Sequence, residues 1–371
     1  MIVNRTKVFA MYLPQYHEIE ENSKFWGEGF TDWVGVRNSR PLYNSHKQPR
    51  VPLNNNYYDL SKVENIRWQC KLARESGIDG FGIYHYWFNE NQNLLDTPPK
   101  LILDNDDIDI SFFFAWDNTS WVRSWSRIRG NDWFPNGEKN QKTTSPQVLI
   151  QYDLGREPQW KKHFDWLIPF FKDSRYEKYE NKPLFMILNP SQEIMKMAEY
   201  WQQLAKENGF DGIHIIYRWD AVRVKDNHLI KNEYAFMYEP STSGWSRFIP
   251  RVLNRISRSI GIAGLKKYNY DKIWKQILCY AKKNVNKKML YCAFVDYDDT
   301  PRRGVNGKVI EGMTIEKFYT YLKKLYSLSN KQGKKYMFIT AWNEWGEGAY
   351  LEPDKDNKYA LLDVVKRIVQ G

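Results

Sequence analysis

The segment 341–348 contains two glutamates, Glu344 and Glu347, with two residues between them. On a continuous strand their side chains would point to opposite faces, but Gly346 and Gly348 permit a turn that brings both carboxylates to one side. Two carboxyl groups in one aromatic pocket can hold different pKa values and divide the acid and base roles, as in most glycosidases. The spacing alone fits two surface glutamates in a loop equally well.

The elements that would position this pair alternate between short apolar segments and longer helical patterns. The segment 112–116, Phe-Phe-Phe-Ala-Trp, is typical of a strand that is buried on both faces. The predicted strands are 7–16, 78–87, 110–117, 183–189, 212–219, 234–239, 289–296 and 336–342.

Eight strands that alternate with helices predict a parallel sheet, and eight strands close a (β/α)8 barrel. We therefore predict an α/β fold in which 1–371 is a single (β/α)8 TIM barrel with elaborated loops on its C-terminal face. A doubly wound open sheet is the alternative, although no Gly-x-Gly-x-x-Gly follows the first predicted strand.

Capping residues mark the ends of several predicted helices. A helix over 61–76 would begin at Ser61 as its N-cap, with Glu64 completing a capping box, and would stop at Gly77. Glycines also follow the helical patterns 192–208 and 314–332. The last helix has an apolar stripe made of Leu361, Leu362, Val365 and Ile368.

Active sites of such barrels lie at the C-terminal ends of the strands. Here the strand ends are polar and aromatic, which suits a carbohydrate, because its hydroxyls need hydrogen-bond partners and its C–H faces need rings. We predict substrate contacts from Tyr16, His17, His85, Tyr86, Trp87, Trp116, Asp117, Asn118, Tyr238, Glu239, Asp298 and Asn343.

Two further side chains belong to this predicted set. Trp26 is either a platform for a sugar or a packing anchor, and Arg302, like its neighbour Arg303, would bind an anionic sugar, a phosphate or a neighbouring acid. Several of these predicted contacts also have a purely structural interpretation. A histidine at a strand end is more often structural, and Asp117 and Asn118 are also ordinary turn residues.

The positive charge of the chain is concentrated in one segment. The net charge is +11, and residues 247–288 contain 12 Lys and Arg against one acid, Asp271. Within this region, 244–270 is predicted to be a basic amphipathic insertion. It would either lie on an anionic membrane surface or pack on the barrel with a solvated arginine face. No nucleic-acid-binding module accompanies the charge, so we expect no nucleic-acid partner.

The sequence gives no indication of a metal or a cofactor. Cys70, Cys279 and Cys292 are too few and too scattered for a disulfide framework or a zinc site. Asp296 and Asp298 match the Asp-x-Asp pattern of many sugar-nucleotide transferases, but a pattern this short recurs by chance. We expect neither a catalytic metal nor another cofactor.

The expected location follows from the absence of export signals. No apolar region follows residues 1–7, and the sequence has no run of about 18 apolar residues. We therefore expect a cytoplasmic protein, either free or at the inner membrane surface.

Several motifs resemble the glycoside hydrolase family 99-like group, and more closely its WbsX-type branch, whose members are associated with bacterial O-antigen and capsule polysaccharide loci. The resemblance extends over about 7–354. Its motifs are 12–17 (Tyr-Leu-Pro-Gln-Tyr-His), 26–33 (Trp-Gly-Glu-Gly-Phe-Thr-Asp-Trp), 84–88 (Tyr-His-Tyr-Trp-Phe), 298–303 (Asp-Asp-Thr-Pro-Arg-Arg) and 341–348.

This resemblance implies a (β/α)8 barrel that acts on an oligosaccharide or a lipid-linked glycan. Characterised hydrolases of the family are endo-acting α-mannosidases with a retaining mechanism. By position, Glu344 would deprotonate the sugar 2-OH, which forms a 1,2-anhydro sugar, and Glu347 would be the general acid and base. The alternatives are a glycosyltransferase that uses an activated donor and a glycan-binding protein without turnover.

Overall fold

The computed structural model describes residues 5–122, 148–219, 233–246 and 264–371. Eight parallel strands pair in chain order, and β1 pairs with both β2 and β8, which closes the barrel. The predicted barrel is confirmed, and the open doubly wound sheet is wrong. The strands are β1 (Lys7–Tyr12), β2 (Gly80–Asn89), β3 (Ser111–Trp116), β4 (Lys182–Ile187), β5 (His214–Trp219), β6 (Tyr234–Met237), β7 (Met289–Phe294) and β8 (Tyr336–Thr340).

Helices follow the strands and cover the barrel. In the described ranges they are α1 (Glu20–Trp26), α2 (Asp32–Asn38), α3 (Val63–Glu75), α4 (Thr97–Leu103), α5 (Glu157–Lys172), α6 (Gln192–Glu207), α7 (Tyr270–Lys283), α8 (Thr300–Arg303), α9 (Ile315–Lys331) and α10 (Ala360–Val369). Three short 3-10 helices are Leu53–Asn55, Gly304–Asn306 and Trp345–Glu347.

Short strands decorate the loops. Gln92–Leu94 and Lys178–Tyr179 extend β2 and β4 as hairpins. The remaining pairs are Trp121–Val122 with Val148–Ile150, Lys266–Asn269 with Lys308–Glu311, and Asn343–Glu344 with Ala349–Tyr350.

The helix ends agree with the sequence in part. Gly77, Gly209 and Gly333 all have positive φ, which only glycine adopts readily, and each follows a helix as predicted. The capping box at Ser61 is wrong. The N-cap of α3 is Lys62 without a side-chain cap, because Asp59 forms a local turn in which its carboxylate accepts a hydrogen bond from the Ser61 backbone N–H at 2.8 Å.

The inner face of β2 packs closely against aromatic rings inside the barrel. A Cβ at Gly80 would lie 2.6 Å from the Phe9 ring, and one at Gly82 would lie 2.6 Å from the Phe113 ring. Both glycines therefore leave room for rings inside the barrel. Since strand residues alternate between faces, Tyr84 and Tyr86 continue this inner face toward the barrel mouth.

The basic region is described only in part. Residues 247–263, which hold most of the predicted amphipathic insertion, lie outside the described residues. Farther along, α7 buries Ile273, Trp274 and Ile277, and the Trp274 ring stacks on Tyr321 of α9 at 5.5 Å. The apolar face of α7 is therefore used by the barrel. In the part of the chain that is described, no helix is long and apolar enough to cross a membrane.

Candidate active site

A cavity of about 510 Å³ opens at the carboxyl ends of the barrel strands. This volume lies within the range of small-ligand pockets. Its lining combines aromatic rings with four acids and four cations. The predicted site residues that line it are Trp26, Tyr86, Asp117, Tyr238, Glu239, Arg302, Glu344 and Glu347.

The two glutamates lie on a tight turn after β8. Glu344 ends a short strand and Glu347 ends the following 3-10 helix. A Cβ at Gly346 would lie 2.5 Å from Asp32 Oδ2 and 2.6 Å from Arg302 Nε, and Gly348 has φ +59°. Both positions therefore require glycine, which allows the turn to pack against the Asp32–Arg302 pair.

Arg302 brings three carboxylates together. Its Nη2 donates to Glu344 Oε2 at 3.0 Å and to Asp32 Oδ2 at 2.8 Å, and its Nη1 donates to Glu347 Oε1 at 2.8 Å. The Glu344 side chain is 11% exposed and that of Glu347 is 29% exposed. The Arg302 guanidinium therefore binds both catalytic candidates, and the Glu347 side chain is the more exposed of the two.

The charge of this cluster is unbalanced, because one guanidinium faces three carboxyl groups. Burial raises the pKa of Glu344 to about 8, and the Glu347 and Asp32 carboxylates add to this effect while Arg302 opposes it. Glu344 therefore holds a proton more tightly than an exposed glutamate does. A carboxyl group of this kind can donate a proton, or it can act as a strong base after it has lost one.

A tyrosine wall faces the glutamates. The hydroxyls of Tyr84 and Tyr238 are 2.5 Å apart, and the Arg218 guanidinium lies 4.5 Å from the centroid of the Tyr238 ring. Burial raises the pKa of Asp117, while Thr119 and Arg218 oppose that shift. This wall offers rings, hydroxyls and a carboxyl group to a polyhydroxylated ligand.

Tyr16 and Asn343 lie beside the cavity rather than in its lining. The Tyr16 hydroxyl donates to the Asn343 carbonyl oxygen at 2.6 Å and accepts from the Trp345 N–H at 3.0 Å. The Asn343 side chain accepts from Leu13 N–H at 2.7 Å and donates to the Leu13 carbonyl at 3.0 Å. Both residues hold the glutamate turn against the end of β1, and their predicted contacts with a substrate stay predictions.

A buried carboxyl group supports the same turn from behind. Glu352 accepts hydrogen bonds from Trp345 Nε1 at 2.6 Å, Gln69 Nε2 at 2.7 Å and the Tyr58 hydroxyl at 2.8 Å. Burial raises the pKa of Glu352 to about 7, and these three donors oppose the shift. Glu352 thus positions Trp345, one of the two residues between the catalytic candidates.

His85, Trp87 and Trp116, which the sequence also predicts as substrate contacts, are not part of the cavity lining. His85 Nε2 is 2.8 Å from His163 Nε2 on α5. The Trp87 ring stacks on His163 at 4.5 Å, and Trp116 Nε1 donates to the Trp87 carbonyl at 3.0 Å. Strand alternation accounts for this, since Tyr84 and Tyr86 occupy the inner face of β2.

Three more predicted contacts lie outside the lining. Asn118 pairs with the backbone of Asn189 through two hydrogen bonds, of 2.8 and 2.9 Å. His17 is 3% exposed, and burial lowers its pKa while the Asp59 and Asp96 carboxylates oppose the shift. Asn118 therefore joins two loops at the barrel mouth, while both ring nitrogens of His17 are buried without a hydrogen-bond partner among the described residues.

Asp298 is the third, and it supports α8, which carries Arg302. Its carboxylate accepts from Thr300 N–H at 3.0 Å and from the Gln48 amide at 2.8 Å. Its backbone N–H donates to the Glu347 carbonyl oxygen at 2.6 Å. Asp296 pairs with Arg50 at 2.8 Å.

Among the described residues, no group of three or more His, Cys, Asp or Glu side chains is placed to hold a metal ion.

Sequence reasoning missed several residues of the site. Asp32 belongs to the motif 26–33, but its role depends on Arg302, which is 270 positions away. Tyr84 could have been found from strand alternation, since it shares a face with Tyr86. Asn22 borders the cavity fully buried, and its side-chain amide has no hydrogen-bond partner in the described ranges; no sequence pattern marked it.

The sequence model of one family, described as glycosyltransferase WbsX, matches residues 8–365. The chain belongs to this family. The protein WxcX from two strains of Xanthomonas campestris pv. campestris is 28% identical over 366 residues, which is 96% of this chain and 49% of WxcX. The chain therefore spans about half the length of these curated relatives.

Solved structures are similar in fold. A glycoside hydrolase family 99 endo-α-mannosidase from Bacteroides thetaiotaomicron matches with a TM-score of 0.56 and 15% identity, over 98% of this chain and 96% of that chain. A glycoside hydrolase-like protein matches with a TM-score of 0.58 and 12% identity, over 100% and 95%. At these identities the WbsX chain shares the barrel fold with them, and its chemistry must be argued from its own site.

Proposed function

We propose that this WbsX chain is a glycan-active enzyme of bacterial surface-polysaccharide metabolism that cleaves or transfers at a glycosidic bond. The observation that carries the proposal is the placement of Glu344 and Glu347 on one guanidinium, facing a wall of tyrosines. Family membership and the glycoside-hydrolase-like barrel support an enzyme of carbohydrate chemistry.

The two carboxyl groups differ in a way that fits two roles. Glu344 is the more buried, and its raised pKa of about 8 makes its carboxylate a strong base. In the proposed first step the pair carries one proton, on Glu347; the Glu344 carboxylate removes the proton of the sugar 2-OH, and O2 attacks the anomeric carbon. Glu347 donates a proton to the departing glycosidic oxygen, so the bond to the leaving group breaks as the 1,2-anhydro ring forms.

The second step returns both carboxyl groups to their starting states. Glu347, now a carboxylate, takes a proton from water or from an acceptor hydroxyl, and that oxygen opens the anhydro ring at the anomeric carbon. Glu344 gives its proton back to O2. Two inversions give net retention, and the choice between water and a sugar hydroxyl decides between hydrolysis and transfer.

A nucleotide-sugar-dependent glycosyltransferase is the second candidate, and the description of the family favours it. The two aspartates of the Asp-x-Asp motif in this chain already form structural contacts. Asp296 pairs with Arg50, and Asp298 accepts hydrogen bonds from Gln48 and Thr300. A donor would then be held by other groups of the cavity.

In either case, a lipid-linked glycan and a membrane contact through 247–288 are further parts of the proposal, which co-sedimentation with phosphatidylglycerol vesicles would test.

The test compares two ligand panels. Mannose- and glucose-type oligosaccharides and nucleotide sugars are screened by thermal shift, and stabilising ligands are then incubated with the protein and followed by NMR. The proposal expects consumption of an oligosaccharide with a product of retained anomeric configuration. An inverted product would contradict the two-step route. Stabilisation and turnover of nucleotide sugars alone would support the glycosyltransferase.

A further inference from the structure

We propose that the cavity contains a subsite for an acidic group, a carboxylate or a phosphate, formed by Arg303 and Lys308 beside Trp245. This inference rests on the proposed function, since it names the class of glycan that the same cavity takes. Arg303, Lys308 and Trp245 all line the cavity. The acidic group would bind apart from the glutamates, because Arg303 and Lys308 pair with Asp299 whereas both glutamates pair with Arg302.

The two cations share one carboxylate. Asp299 Oδ2 lies 3.0 Å from Arg303 Nε and 3.2 Å from Lys308 Nζ, and the Asp299 side chain is 0% exposed. The Tyr297 hydroxyl also donates to Asp299 Oδ2, at 3.2 Å. Two positive charges and one negative charge leave this group with a charge of +1. An anionic ligand would complete the balance.

Arg303 has the geometry of an anion receptor. Its Nε lies 3.0 Å from Asp299 Oδ2, its side chain is 36% exposed, and Asp299 is the one acid of the described residues that forms an ion pair with it. The guanidinium fork can bind a carboxylate or phosphate through two parallel hydrogen bonds. Arg302 cannot take this part, since it is already surrounded by three carboxylates.

Aromatic rings lie beside the cations. The Trp245 and Tyr297 rings are 4.7 Å apart, and Lys308 Nζ lies 5.0 Å from the Trp245 ring centroid. A sugar could stack its C–H face on the indole while its acidic substituent meets Lys308 and Arg303. A purely structural role for the two cations would require only Asp299, and would give no selectivity for acidic ligands.

The four acids that line the cavity have partners other than Arg303 and Lys308, and Asp117 accepts a hydrogen bond from the Thr119 hydroxyl at 2.9 Å. Glu344 and Glu347 are held by Arg302. Glu239 accepts hydrogen bonds from the Ser243 N–H at 2.9 Å and the Ser243 hydroxyl at 2.6 Å. The cavity therefore has an excess of negative charge in the cluster around Arg302 and an excess of positive charge in the cluster of Arg303 and Lys308. This difference would orient a ligand that carries one acidic unit.

Titration calorimetry of the full chain tests this proposal with four probes. Digalacturonate is compared with its neutral counterpart digalactose, and pyrophosphate and UDP represent the phosphate source. The proteins are the wild type, Arg303→Gln, Lys308→Gln and the control Lys161→Gln, which removes an exposed cation of α5 that is paired with Asp165. Melting temperatures verify that each variant is folded.

The proposal expects at least one acidic probe to bind the wild type about tenfold or more tightly than the neutral one, since a hydrogen bond to a charged group contributes on this scale. Salt should weaken that binding, Arg303→Gln should abolish the preference, and Lys161→Gln should leave it unchanged. Binding of digalacturonate alone identifies an acidic sugar, and binding of pyrophosphate or UDP identifies a phosphate.

Equal affinity for acidic and neutral probes, no binding of any acidic probe, or an unchanged preference in Arg303→Gln would overturn the subsite. If Lys308→Gln does not fold, the half-exposed Arg303 still provides the test. The same titrations on Glu347→Gln require no turnover, and so they separate the two proposals. Acid-selective binding without turnover of any glycan would contradict only the enzymatic function, and turnover without acid selectivity would contradict only the subsite.

Discussion

Two buried clusters of titratable side chains lie on opposite sides of the barrel wall. One joins Glu344, Glu347 and Asp32 to Arg302 at the barrel mouth. The other pairs His85 with His163 between the barrel and α5. Burial shifts a pKa in both, upward to about 8 for Glu344 and downward to about 3 for His85.

The difference between the clusters is access and counter-charge. The histidines are enclosed by rings, with Trp166 stacked on His85 at 4.9 Å and Trp87 stacked on His163 at 4.5 Å. Burial therefore favours the neutral form of both imidazoles, and neither lines the cavity. The carboxyl groups meet a guanidinium and line the cavity. A shifted pKa alone does not mark an active site; a shifted pKa in a group that faces a cavity does.

Replacing Arg302 gives the largest expected effect. Arg302→Gln leaves three carboxyl groups without their cation, so we expect a fall of about 3–5 kcal/mol in the free energy of unfolding and the loss of turnover. Arg302→Lys keeps the charge but loses the fork that reaches three partners, and should recover part of the stability. Urea denaturation of the two variants measures this difference. Wild-type stability in Arg302→Gln would show that the cluster is not held by this residue.

The pH dependence of kcat/KM comes next. The reactive form of the pair carries one proton, on Glu347, so kcat/KM should fall as pH rises through about 8, where the pair loses that proton. At pH 9 it should be about tenfold below its value at pH 7, since each pH unit above the pKa reduces the protonated fraction about tenfold. A kcat/KM that rises to a plateau above about 8 would contradict the acid role of Glu347.

The histidine pair should affect stability but not turnover. Its folded-state pKa values lie below the unfolded value near 6.5, so the unfolded state binds protons first. The free energy of unfolding should therefore decrease as pH falls from about 6.5 toward about 3. The double variant His85→Phe/His163→Phe removes both groups and should flatten this decline in melting temperature. An unchanged slope, or a large loss of kcat, would contradict the comparison.

Asn22 gives the smallest expected effect. Its buried amide has no partner in the described part of the chain, so Asn22→Leu should raise the free energy of unfolding by about 1 kcal/mol while KM increases severalfold. The matched control is Asn118→Leu, which removes two hydrogen bonds to Asn189 and should destabilise the protein. If Asn22→Leu destabilises as much as the control, the Asn22 amide is satisfied in the protein.

The sequence predicted the barrel because strand burial and helix periodicity are local properties. All eight strands lie where the apolar segments predicted them, with ends that differ by a few residues. At β2, taking His85, Tyr86 and Trp87 together ignored strand alternation, which separates Tyr86 from the other two. The clustering of Asp32 with Arg302 depends on packing between distant segments, and no spacing in the chain reveals it.

The most direct test of the account is a comparison of turnover and binding in Glu344→Gln and Glu347→Gln, with the exposed Glu193→Gln as control. The assay uses a glycan that the wild type converts. We expect turnover of this glycan to fall by about 10²- to 10⁴-fold in each cavity variant. The affinity of each variant for the glycan, measured by calorimetry, should change less than tenfold. Glu193→Gln should match the wild type. Turnover at the wild-type rate in either cavity variant would contradict the claim that this glutamate pair carries the chemistry.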